Sequence, residues 1–181
     1  MQHDAAERQL LIRLTHDAIR HFVETNRELV YPDQEFLNVP ASVFVTLKKH
    51  GQLRGCIGIL EERYPLGEAI VKSAISAAVH DPRFPPVKPK ELSELHVEIS
   101  VLSPFHEVHD IEEIEVGVHG IHITAGRNRG LLLPQVAPEH HWDRITFLNH
   151  TAMKAGLVAD AWKNPDTRIQ IFSAEVFGED E

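Results

Sequence analysis

Cys56 is the single cysteine of a 181-residue chain, and it sits among glycines in Leu53-Arg54-Gly55-Cys56-Ile57-Gly58. A thiol on a glycine-flanked strand is approachable, and so are the backbone N–H groups near Gly55 and Gly58. The segment therefore suits a nucleophile or covalent carrier beside a small anion-binding nest. Arg54 lies two residues away, so a regular strand puts it on the same face as the sulfur. The structural reading of these residues stands beside the chemical one. A free cysteine is most often a small buried hydrophobe. Strand glycines often mark a bulge or a place where another group approaches the backbone closely.

Two loops supply further polar groups. Asp81-Pro82-Arg83-Phe84-Pro85-Pro86 is stiffened by proline and can hold Arg83 at fixed range to grip a carboxylate or phosphate. Alternatively, Asp81 ends the preceding helix and Arg83 pairs with it. Leu133-Pro134-Gln135-Val136-Ala137-Pro138-Glu139 leads into a predicted helix. Glu139 there can act as an acid, a base or a ligand, although the helix macrodipole favours an acidic residue in a first turn with no function at all. Trp142, one turn on, can wall a cleft. The 13 histidines do not form a ligand pattern. His119 and His122 fall on opposite faces of a strand, and His140 and His141 diverge on a helix. Neither CxxC nor HExxH occurs, and there is no P-loop or GxGxxG, so the spacing argues for no metal and no cofactor.

These groups need a frame. Leu11, Leu14, Ala18 and Phe22, widened by Ile19 and Val23, predict a helix that starts at an Asp4/Glu7 capping pair and ends near Asn26. Val43, Val45 and Leu47 alternate with polar neighbours and predict a strand. His50-Gly51 then turns the chain so that Leu53 to Leu60 returns as its hairpin partner. Residues 65–80 predict a second helix, with Leu66, Ala69, Ile70, Ala74, Ala77 and Ala78 on one side. Val97, Ile99 and Val101 predict a strand, and residues 119–137 a second hairpin around Gly126 to Gly130. Residues 138–156 predict a third helix with a stripe of Trp142, Ile145, Leu148, Ala152 and Met153, stopped at Gly156. Residues 167–177 close the chain as a strand. Strict βαβ alternation is absent. The expected class is α+β, a mixed or antiparallel sheet packed by about three helices, in one domain over 1–181 with a small lobe near 105–135.

Composition bounds the function. With 43% apolar and 25% charged residues, the chain has the make-up of an ordinary globular protein. No window is apolar enough for a membrane span, the N-terminal segment lacks the apolar block of a signal peptide, and one cysteine forms no internal disulfide. The cytoplasm is therefore the expected compartment. A net charge of −9 repels phosphate backbones, which argues against nucleic acid as a partner.

The motifs LRGCIG, DPRF, EISVLSP, GIHI and LLLPQVAPEHHWD, in that order over roughly residues 10–178, resemble those of the AMMECR-one domain family, whose prokaryotic members are called AmmeMemoRadiSam system protein A. The resemblance implies an α+β fold with a larger and a smaller lobe and a cleft between them. It also implies genomic association with a Memo-type protein and a radical S-adenosylmethionine protein, and no established reaction. The matching positions are Leu53 to Gly58, then Asp81, Arg83, Phe84, Leu133 to Val136, Glu139 and Trp142. Two functions follow. In the first, an inter-lobe cleft around the LRGCIG strand binds a small anionic ligand, a peptide or a partner protein through Arg54, Gly55, Gly58, Asp81, Arg83, Gln135 and Trp142. In the second, Cys56 is a catalytic nucleophile or covalent carrier on an acidic substrate, with Glu139 or a histidine moving protons. No histidine is tied to the thiol by the sequence, so the binding reading is the expected one.

Overall fold

The computed structural model describes residues 2–60 and 62–179. Its first helix, α1 (Ala5–Thr25), starts where the sequence predicts. Asp4 accepts the Glu7 amide while Glu7 reaches back to the Asp4 amide, a reciprocal capping box. The helix ends at Asn26 in the left-handed conformation, φ 57°. Leu11, Leu14, Ala18 and Ile19 form its buried stripe.

Strands β1 (Ser42–Lys49) and β2 (Gln52–Ile59) form the first hairpin. Its two-residue loop, His50 (φ 52°) and Gly51 (φ 75°), has the positive φ values of a turn whose twist matches the strands. Helix α2 (Leu66–Ile75) runs on into a π-helical turn, Ser76–His80. Strand β3 (Leu95–Leu102) then pairs antiparallel with β1. Strands β4 (His106–Glu107), β5 (Gly120–Ala125) and β6 (Asn128–Leu132) follow. Next come the one-turn helix α3 (Val136–Glu139), helix α4 (Arg144–Lys154), and strands β7 (Arg168–Phe172) and β8 (Ala174–Gly178).

The chain divides into two units, Met1–Leu102 with Glu175–Glu181, and Ser103–Ala174. The first holds the sheet β2-β1-β3-β8. Val43, Val45, Leu47, Val97 and Ile99 point to one face, where α1 and α2 cover them with Leu11, Ala18, Ile70 and Ala74. The second holds the antiparallel sheet β4-β7-β5-β6. Ile121, Ile123 and Ile169 pack there with Ile114 and with Phe147, Leu148 and Ala152 of α4. The α+β class therefore stands, built on two sheets. The lobe expected near 105–135 covers only the first part of the second unit, which also takes in α3, α4 and β7.

Two elements depart from the sequence expectation. Residues 138–156 are not one helix. The chain breaks at His141, whose φ is 56°, and Asp143 starts α4 afresh by accepting the Thr146 amide. The buried stripe of α4 is accordingly Phe147, Leu148, Thr151 and Ala152, while Ile145 and Met153 are exposed. The expected C-terminus survives: Gly156 (φ 78°) closes it, with the Gly156 amide bonded to the Met153 carbonyl and the Leu157 amide to the Ala152 carbonyl. Residues 167–177 form two strands rather than one, β7 and β8, and these serve different sheets.

Candidate functional site

Strand β2 carries a bulge. Leu47 faces Gly55 and Lys48 faces Leu53, which leaves Arg54 as an extra residue. The bulge undoes the expectation that Arg54 and Cys56 share a face. Gly55 turns toward the helices, where a Cβ would overlap the Ala77 carbonyl oxygen in the π-helical turn. Arg54 turns to Glu91, giving Nε and Nη2 to the two carboxylate oxygens at 3.2 Å each. Lys49, on the core-side register of β1, gives its Nζ to the same carboxylate at 3.2 Å. Arg54 is buried at 9% exposure, so its positive charge is spent inside the protein. Its hydrogen bonds hold the Glu91 carboxyl down to about 2, against the opposing effect of burial, with the Lys88 amide and Lys49 assisting.

Cys56 faces the other way. It opposes Thr46 of β1, whose hydroxyl donates to the sulfur at 3.3 Å. The thiol is half-buried, and among the described residues no imidazole or carboxylate hydrogen-bonds to it. Gly58 shares this outer face. A Cβ there would stand 2.5 Å from the Phe44 ring, so the glycine leaves room for an aromatic laid across the strand.

The backbone of Cys56 is where the separate motifs meet. Its N–H donates to Asp81 Oδ2 at 2.9 Å. Asp81 also accepts from the Arg83 amide at 3.1 Å, from Arg83 Nε at 3.0 Å and from Arg83 Nη2 at 2.7 Å. Arg83 Nη2 lies 3.4 Å from the Cys56 carbonyl oxygen. The carboxylate is 2% exposed and the arginine side chain 53%. The Arg83 guanidinium holds the Asp81 carboxyl well below the usual carboxylate range. Burial opposes this, and the Cys56 and Arg83 amides reinforce it. Reciprocally, Asp81 raises Arg83. The π-helical turn delivers Asp81 to this point, and the prolines that follow fix Arg83 over it.

Gln135, Glu139 and Trp142 belong to the second unit. Glu139 is exposed in the one-turn α3, and the longer helix that the sequence starts at 138 begins instead at Asp143. Gln135 Oε1 is buried without a partner among the described residues. Trp142 lies in the break before α4 rather than on a helix. The imidazole of His150 stacks on its indole at 3.9 Å and 9°, and that of His140 at 4.7 Å and 18°. Its ring surface is thus engaged by the protein itself. Sequence reasoning missed Glu91, Thr46 and Phe44, the side chains that occupy Arg54, Cys56 and Gly58. Only the glycines signalled that something would stand close.

Comparison with known proteins places these motifs. The AMMECR1 family model matches residues 12–177. Protein MK0488 of Methanopyrus kandleri is 46% identical over 185 residues, covering 97% of this chain and 89% of its own. A protein of Methanothermobacter thermautotrophicus is 45% identical over 183 residues, covering 96% and 95%. The crystal structure of uncharacterized protein PH0010 from Pyrococcus horikoshii matches with a TM-score of 0.89 at 42% identity, over 93% of this chain and 89% of that one.

Proposed function

Given that the chain belongs to the AMMECR1 family, we propose that it is a recognition module rather than a cysteine enzyme, and that it binds its ligand or partner at the Cys56 edge of β2. The observation that carries this reading is the division of labour at Cys56. Among the described residues its sulfur meets a hydroxyl and no base, whereas its backbone is held by a buried carboxylate whose arginine stays half exposed. A nucleophile needs a base or a lowered pKa supplied by its neighbours. A recognition surface needs a fixed, partly exposed donor, and arginine is a residue type enriched at binding hot spots. Arg54 is not that donor, because Glu91 already neutralises it. The natural partners to try are the Memo-type and radical S-adenosylmethionine proteins, and the natural small ligand is a carboxylate or phosphate on Arg83.

The test is co-purification of the full chain with the two partners. Cys56→Ser should retain them and Arg83→Ala should lose them, with circular dichroism confirming that both variants are folded. Loss in Cys56→Ser with retention in Arg83→Ala would reverse the reading.

A further inference from the structure

Strand β2 is an edge of its sheet. Cys56 gives its N–H to Asp81 and receives Arg83 at its carbonyl, so both backbone groups point off the sheet. In an antiparallel ladder this direction repeats every second residue, so the N–H and C=O of Gly58 point the same way. Among the described residues neither has a hydrogen-bond partner. Open edge groups are a template for another strand.

The site also sets where such a strand must stop. Asp81 and Arg83 occupy the rung at Cys56, offering it an acceptor and a donor as a neighbouring strand would. An incoming chain can pair at Gly58 and must end there. What waits at that end is Arg83, with Nε and Nη2 used on Asp81 and Cys56 and its side chain 53% exposed, so that Nη1, unpartnered among the described residues, remains for a carboxylate. The Asp81 carboxylate is buried and saturated, and does not confront the newcomer. A strand running antiparallel to β2 reaches Arg83 with its C-terminus. Pairing of β2 with a second copy of itself would drive one strand past Cys56 into the Asp81–Arg83 pair.

We propose that β2 takes up the free C-terminus of a partner protein by strand addition at Gly58, with the terminal carboxylate on Arg83. This rests on the recognition-module reading and names the chemistry of its partner. The Gly58 amide of the free, full chain should exchange with solvent fast, as an unpaired amide does. An array of decapeptides with free C-termini, and its amidated duplicate, then supplies the probes. The tightest free-acid peptide should bind at least tenfold better than its amide. It should shift the Gly58 and Cys56 amide resonances and slow exchange at Gly58.

Three results would overturn the inference: slow exchange at Gly58 in the free monomer, peptide binding indifferent to amidation or absent, or concentration-dependent dimers that protect Gly58. In each case the co-purification experiment reports separately on the recognition reading. Because amidation alters the probe and not the protein, the test survives any instability of Arg83 variants.

Discussion

Replacing Asp81 by asparagine keeps the shape of the side chain and removes its charge. In the native chain the carboxylate accepts four hydrogen bonds, two of them from the Arg83 guanidinium. Hydrogen bonds to charged groups contribute about 1.5–3 kcal/mol each. The full sum does not apply, because the half-exposed guanidinium can turn to water and asparagine can still accept the Cys56 amide. The expected loss is about 2–3 kcal/mol at pH 7, or roughly 5–10 °C in Tm. Urea unfolding followed by far-ultraviolet circular dichroism measures it, and hydrogen exchange at the Cys56 amide locates it. The pH dependence gives a second handle. The folded carboxyl lies below its ordinary value of 3.8, so its contribution is complete above that pH and fades as pH falls further. The gap between wild type and Asp81→Asn should therefore stay constant from pH 7 to about 4 and narrow below it. A loss under about 0.5 kcal/mol at pH 7, with Cys56 exchange unchanged, would refute the assignment of Asp81 as the group that holds β2.

Further outcomes follow from the same geometry. Gly55→Ala should cost about 3 kcal/mol in urea unfolding, because its Cβ meets the Ala77 carbonyl oxygen, part of a backbone with little room to shift. Glu91→Gln should flatten acid unfolding, since Glu91 stabilises the fold above its ordinary value of 4.5 and that contribution disappears as pH falls toward about 2. Glu175→Ala should destabilise the first unit by about 2–3 kcal/mol, measured by thermal melting, because this nearly buried carboxylate accepts from the His3 amide, the His3 ring and Arg8.

The parts of this fold that could be read from the sequence are those fixed by local physics. Asp4 with Glu7, Asn26, His50-Gly51 and Gly156 each act within a few residues, and each element boundary they imply is found. The alternation of Val43, Val45 and Leu47 gives the core face of β1 for the same reason. The break at His141 was harder to see. Asp143 before an apolar run is a start signal, but the apolar period continues across it and argues for one helix. The site was half legible. Asp81 pairing with Arg83 was one of two readings of a stiff loop; the pair forms and leaves half of the arginine side chain exposed. The orientation of Arg54 could not be read, because a bulge depends on what packs over Gly55, and Ala77 is more than 20 residues away along the chain. Glu91, which neutralises Arg54, looks in sequence like any acidic residue of a short turn.

The central claim is that the Cys56 segment recognises rather than reacts. The most direct measurement is the alkylation rate of the native chain by iodoacetamide from pH 6 to 9, followed by mass spectrometry at Cys56 and compared with a cysteine peptide. The expected rate is no faster than the peptide's across the range, because among the described residues the half-buried sulfur has a hydroxyl and no base beside it. A rate tenfold or more above the peptide's at pH 6–7, falling to the peptide's level in Arg83→Ala, would contradict it and return Cys56 to the role of nucleophile.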